Sequence, residues 1–308
     1  MTFSEPIPVA LAKCSNYGKK DLSQVIPKLM DAAGLDISYG TRVLLKPNLL
    51  MKKPLACTSP QVISILAAYL LDLGAKVTIA DSPGFGSVKA ISQAIGLENE
   101  LEKLGLEVIA LRGTRKLYFQ INGKKVTLSI SPLVFDQDRI LSVCRVKAHS
   151  QMRLTLSVKN CFGVIPGLHK AFIHTLYGET TEFFAACIAA LYKMLPPVNG
   201  FADGIIAMHV TGPSKGEPYP LGLLGASRNA AALDEAIIKI LDRSISEIPL
   251  AQALALNSEP SHLTFPLLKT EDFSAQGFIL PEDLKAASFN PWRLAKSCVK
   301  RIWRGFVN

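Results

Sequence analysis

The feature that most constrains this chain is a repeated change of period: short apolar runs alternate with longer stretches of helical spacing. Arg42-Val43-Leu44-Leu45 reads as a buried strand. It stops at Lys46-Pro47-Asn48, because proline cannot donate to a central ladder. Ser59-Pro60 opens a helix to about Leu73, with serine as N-cap and proline in the first turn, and Gly74 ends it. Lys76 to Ala80 is the next strand, closed by Asp81-Ser82-Pro83-Gly84. A helix from about Ser87 and a strand near Leu106 to Leu111 follow. Arg139 to Val146 is again a strand, and helices are expected around Leu154 to Phe162 and Thr180 to Met194. Val198 to Ala202 reads as a strand ending at Asp203-Gly204, before a helix over roughly Ala230 to Leu241. This alternation predicts an α/β fold with a doubly wound, mostly parallel sheet.

One segment breaks the rhythm. Between positions 116 and 130, β-type residues flank Asn122-Gly123, so an inserted β-hairpin is expected there. Residues 1–256 form the expected α/β ligand-binding or catalytic domain, and 257–291 an irregular connection rich in proline, serine and mixed charge. Residues 292–308 are predicted to form a basic amphipathic helix. Ala295, Val299, Ile302, Trp303 and Phe306 share one face; Arg293, Lys300, Arg301 and Arg304 share the other. Such a helix either lies on an anionic membrane surface or packs on the body with its basic face in water.

Composition narrows the partners. The net charge of +9 favours anionic ligands, but five basic residues of the last helix carry more than half of it. Few aromatics interleave with the basic residues outside that helix, so no nucleic acid is expected. The six cysteines include no C-x-x-C pair, so no iron–sulfur cluster is expected within this chain. Met1 to Lys13 lacks a basic start followed by an apolar core, and no apolar run reaches membrane-spanning length. The expected location is the cytoplasm, with peripheral attachment at the inner face of the membrane if the last helix binds lipid.

In open α/β sheets, ligands bind beyond the carboxyl ends of the strands. The groups that follow the predicted strands are Lys46 and Asn48, Asp81 and Ser82, Lys147 and His149, and Asp203. The richest segment adds Lys159, Asn160, Cys161, Gly163, Gly167, His169, Lys170 and His174. Gly163 and Pro166-Gly167 would let backbone amides approach a ligand closely. Gly212-Pro213-Ser214-Lys215-Gly216 reads as a loop covering a site beside Asp203. The bland alternatives are a dipole-balancing Lys159, a hydrogen-bonded structural His149, a buried inert Cys161 and loop-capping aspartates. His169 and His174 lack the spacing of paired helical zinc ligands.

Val43-Leu-Leu-Lys46-Pro47-Asn48-Leu49, Thr58-Ser59-Pro60, the run from Gly74 to Asp81-Ser82, Lys147-Ala-His149, Leu156-Ser-Val-Lys159-Asn160-Cys-Phe-Gly163, and Asp203-Gly204 through Gly216 resemble the family called domain of unknown function 362. These motifs run in the family's order from roughly Arg42 to Asp234. The resemblance implies an α/β fold and an intracellular protein. Many members carry ferredoxin-like cysteine clusters, which this chain lacks, so electrons would have to come from a separate electron-transfer protein or another cofactor. As a fold-level analogy, Lys159 to Gly167 is similar to the region of nickel-pincer lactate racemases that holds their pyridinium cofactor.

Two functions follow as expectations. In the first, an enzyme uses a metal or a cofactor of unknown identity on a small anionic substrate, as an oxidoreductase first and an isomerase second. His149, Lys147 and Lys159 are its candidate catalytic residues, with His149 as general acid/base. Lys46, Asn48, Thr58, Asp81, Ser82, Asn160, Gly163, Gly167, His169, His174 and Gly212 would bind substrate or cofactor, and Asp203 is the candidate metal ligand. In the second, the same residues hold an anion or cofactor in a non-catalytic accessory protein at the membrane surface.

Overall fold

The computed structural model describes residues 5–167, 169–178, 180–256 and 262–285. The chain begins with β1 (Ile7–Lys13), α1 (Lys19–Ala32), β2 (Arg42–Lys46), α2 (Pro60–Asp72) and β3 (Lys76–Asp81). Next come α3 (Val88–Ile95), α4 (Leu97–Glu102), β4 (Val108–Ala110), β5 (Arg115–Ile121), β6 (Lys124–Ile130) and β7 (Arg139–His149). Then follow β8 (Arg153–Thr155), α5 (Ser157–Asn160), α6 (His169–Tyr177), α7 (Thr181–Met194) and β9 (Val198–His209). The described chain closes with β10 (Glu217–Tyr219), β11 (Leu223–Ser227), α8 (Ala230–Ile240), α9 (Pro249–Ala255) and β12 (Leu263–Thr264).

The main sheet runs β12-β1-β11-β9-β7-β2-β3-β4. From β9 to β4 every neighbour is parallel. Beyond β9 the chain turns antiparallel through β11 to β1, with β12 parallel at the edge. The period of two explains why the parallel half is covered on both sides. Val43 and Leu45 point into one apolar cluster, against α1 and α2, while Leu44 points into another that includes α7. This is the expected mixed α/β architecture with a mostly parallel sheet.

The inserted hairpin is present as β5 and β6. Asn122 and Gly123 have φ of 48° and 78°, as a two-residue turn with both central residues left-handed requires. Leu117, Val126, Leu128 and Ile130 carry it onto the α7 side of the sheet.

Three boundaries differ from the sequence expectation. β9 does not end at Asp203-Gly204 but runs to His209, because Gly204 lies within the ladder opposite Leu223. β7 extends through Lys147 to His149, so both lie on the strand rather than after it. The helix expected over Leu154 to Phe162 is split into β8, the single turn of α5 and a 3-10 turn over Cys161–Val164. Arg153 has φ of +60° and Leu156 is extended, so helical backbone cannot begin before Ser157. Its first two amides are then capped by Asp234 of α8, at 2.8 and 2.9 Å. β1, α1, α6, α9 and the antiparallel strands β8, β10 and β11 were not expected from the pattern. Among the described residues, no helix is long and apolar enough to cross a membrane. The amphipathic helix expected at 292–308 lies outside the described residues.

Candidate functional site

Lys46 ends β2 and Asp81 ends the neighbouring β3, so the parallel register brings them together. Lys46 Nζ lies 2.7 Å from Asp81 Oδ1, and both side chains are buried. Lys46 also donates to the Pro47 carbonyl at 3.0 Å and to Asn160 Oδ1 at 3.2 Å. Asp81 Oδ2 accepts from the Leu49 amide at 2.7 Å, and Oδ1 from the Ser82 amide at 2.8 Å. Asn160 Nδ2 donates to the Lys46 carbonyl and to Ser142 Oγ, at 3.2 and 3.1 Å. Asn48 Nδ2 donates to Asn160 Oδ1 at 3.1 Å, and Asn48 Oδ1 accepts from Lys147 Nζ at 2.5 Å. Lys147 donates to the Ala56 carbonyl at 2.9 Å. Thr58 Oγ1 holds the Asn48 amide at 2.9 Å and donates to the Val143 carbonyl at 2.8 Å. The strand ends thus form one connected network from Asp81 to Lys147.

The glycines fit this network by leaving room. A Cβ on Gly163 would collide with Lys46 Nζ and sit 2.8 Å from Asp81 Oδ1. The Gly167 amide donates to Ser82 Oγ at 2.9 Å, and Lys170 Nζ donates to the Ser82 carbonyl. Gly212 packs on the Ala148 carbonyl, and its own carbonyl accepts from the Ser150 amide at 3.1 Å. The loop expected to cover Asp203 therefore covers the end of β7 beside His149 instead.

Electrostatics set this region apart. Burial pushes the Lys147 ammonium down to about 8, with Arg145 adding to the shift. Burial lowers Lys159 to about 7, and the charges of Lys147 and Lys170 act in the same direction. Lys170 is likewise lowered to about 7 by burial; Asp81 pulls it up, and Lys46 adds a smaller push down. Lys159 has no hydrogen-bond or ion-pair partner among the described residues. Burial, with Lys159, His174 and Lys147, pushes His149 well below the ordinary imidazole value. His149 Nδ1 accepts from the Gln151 and Met152 amides at 3.1 and 3.2 Å. Its ring is therefore neutral near pH 7, with the proton on Nε2. Burial lowers His174 to about 3, and its ring packs against Phe162 and Phe184. His169 is exposed at the start of α6. Burial pushes the Cys161 thiol up to about 12, which matches the inert reading of that residue.

Asp203 belongs to a different cluster. Its oxygens accept from Tyr17 at 2.8 Å, the Ser59 amide at 2.9 Å and Arg145 at 3.2 and 3.3 Å. Arg145 also donates to the carbonyls of Cys57 and Ile206 at 2.9 and 2.7 Å, and to the Tyr17 hydroxyl. A metal at Asp203 would have to displace this fully engaged ion pair. No group of three potential metal ligands occurs among the described residues. Sequence reasoning missed Arg145, Tyr17, Ser142 and Asp234. Arg145 was detectable as a cation inside an apolar strand, which demands a buried anion; Tyr17 carried no such signal.

Strand-end lysines, asparagines and an aspartate knit across a parallel sheet define the class: an α/β protein with a buried polar site at the carboxyl edge. A model of the family described as Domain of unknown function (DUF362) matches residues 43–239, which contain that whole network. The chain belongs to this family. It is 32% identical to the "Thylakoid-associated protein sll1697" of Synechocystis sp. (strain ATCC 27184 / PCC 6803 / Kazusa), over 97% of this chain and 95% of that protein. Among solved structures it is similar to a Thermotoga maritima protein from a structural genomics programme, with 12% identity and a TM-score of 0.41. That match covers 68% of this chain, which spans about half (55%) of that structure's length.

Proposed function

We propose that this chain is an enzyme that binds a small phosphate- or carboxylate-bearing substrate at the lysine cluster and uses Lys159 to move a proton. The supporting observation is an imbalance of charge. Lys46, Lys147, Lys159 and Lys170 gather where Asp81 is the carboxylate acting on Lys147 and Lys170. An external anion would relieve that repulsion. An amine titrating near 7 holds a lone pair in a large fraction of molecules at neutral pH, as proton transfer from a substrate requires. Neutral His149, through Nε2–H, would polarise a substrate oxygen rather than titrate. This chemistry suits an isomerase directly. An oxidoreductase at the same site would need a cofactor or a separate electron-transfer protein to carry the electrons.

The test is two-part. Calorimetry at pH 7 should show binding of inorganic phosphate or small carboxylates that weakens at least tenfold in Lys147→Met. Incubation with a panel of 2-hydroxy and 2-oxo acids in D2O should show carbon-bound deuterium incorporation that Lys159→Met abolishes. Absence of any anion binding would sink the proposal at its root. Binding without exchange would favour the second reading, a non-catalytic accessory protein at a membrane surface, which the printed name of the thylakoid-associated relative supports.

A further inference from the structure

A cavity of about 520 Å³ has Lys159 in its lining. Its walls come from β8 and α5, from α7, from α8, and from the turn and helix that follow α8. The volume falls in the range of small-molecule sites. Most of the lining is aliphatic, including Leu156, Ile238, Ile248, Leu250, Ala251 and Leu254. Several polar groups at its edge are already engaged. Asp234 caps α5 through both oxygens, and Asn229 caps α8 and accepts from Tyr192. Lys159 differs from these groups. It lines the cavity, lacks a hydrogen-bond or ion-pair partner among the described residues, and interacts electrostatically with Lys147 and Lys170 of the strand-end cluster. One side chain therefore borders both the apolar chamber and the cationic site.

We propose that the ligand is an amphiphilic anion, with a carboxylate or phosphate headgroup held at Lys159 and a hydrocarbon part lying in this cavity. The inference rests on the anion site proposed above and adds the chemical class of the ligand. Apolar burial would supply affinity, and the unpartnered ammonium would fix the orientation of the headgroup. Glu235, whose carboxyl is raised by burial, lines the same cavity.

Calorimetry on the full chain should compare inorganic phosphate, acetate, hexanoate, decanoate, decyl phosphate and decanol. Each methylene that enters the cavity should tighten binding about fourfold until the chamber is full. Decanoate and decyl phosphate should exceed acetate and inorganic phosphate respectively, and the tighter of the two identifies the headgroup. Ala251→Trp should flatten the chain-length series while leaving inorganic phosphate binding unchanged. Lys159→Met should weaken decanoate at least tenfold and leave decanol unaffected. A diazirine-bearing decanoate, mapped by mass spectrometry on wild-type protein, should label 245–255, so the proposal stays testable even if Ala251→Trp fails to fold. A flat series with phosphate still bound would overturn the amphiphile and leave the anion site standing. Decanol binding as tightly as decanoate, or label outside the cavity walls, would also overturn it. If no anion binds at all, both proposals fall.

Discussion

Two buried polar clusters sit within two residues of each other on β7, and they handle charge in opposite ways. Arg145 faces Asp203 in a closed arrangement, where guanidinium and carboxylate meet each other, Tyr17, the Ser59 amide and two backbone carbonyls. Lys147 belongs to a group with Lys46, Lys159 and Lys170 in which Asp81 pairs with Lys46, and Lys159 has no acceptor among the described residues. The first cluster is electrically complete, as a structural ion pair must be to offset its desolvation. The second is positive in excess, and the chain bears that cost in the form of lowered lysine pKa values. Buried charge without its counter-ion is a stronger pointer to a functional site than burial alone.

The comparison breaks most clearly at the closed pair. Arg145→Met should destabilise the fold by about 3–5 kcal/mol, because Asp203 would remain buried without its cation. Urea unfolding checks this, and a loss under 1 kcal/mol would mean that Asp203 finds solvent or another donor. Gly163→Ala should cost about 1–3 kcal/mol, since the added methyl meets the Lys46–Asp81 pair rather than a yielding side chain. It should also weaken phosphate binding, whereas Arg145→Met, where folded, should not.

Lys159→Met should do the reverse and stabilise the protein at pH 7, on the order of 2 kcal/mol, by removing an uncompensated, largely buried cation. The pH dependence has a definite sign. Lys147, Lys159 and Lys170 hold folded-state values of about 8, 7 and 7, below the ordinary lysine value of 10.5. Between about pH 7 and the unfolded lysine value, the unfolded chain binds more protons, so stability should rise with pH across that window. Thermal unfolding from pH 7 to 10 should show this rise, with a shallower slope in Lys159→Met. A wild-type curve flat over that window would mean that the lysines are compensated after all.

Much of the cationic site was legible in the sequence, because parallel strands deliver their carboxyl ends to one edge. Lys46, Asn48 and Asp81 could be grouped without coordinates for that reason. Asp203 could not be placed correctly. Gly204 looked like a terminator, yet it pairs within an antiparallel ladder that depends on β11, more distant in the chain. Lys159 and Asn160 were assigned to a long helix because Leu154 to Phe162 has helical spacing; the left-handed Arg153 and the cap from Asp234 are tertiary facts that local pattern does not carry. His149 could be placed near these groups from the sequence, but its protonation state depends on burial, and then on cations that gather only in the folded chain.

That last point gives the smallest effect and the finest discrimination. In His149→Asn the side-chain oxygen can take over from Nδ1 as acceptor for the Gln151 and Met152 amides, so stability at pH 7.5 should change by less than about 1 kcal/mol. The folded imidazole titrates well below its unfolded value of 6.5, so below that pH the unfolded chain binds the extra proton and wild-type stability falls. The variant lacks this loss, and at pH 5 it should gain about 2 kcal/mol on wild type relative to pH 7.5. If the two proteins keep the same difference from pH 7.5 to 5, the imidazole takes up its proton equally in both states. Neither burial nor the neighbouring cations would then set its protonation in the folded chain.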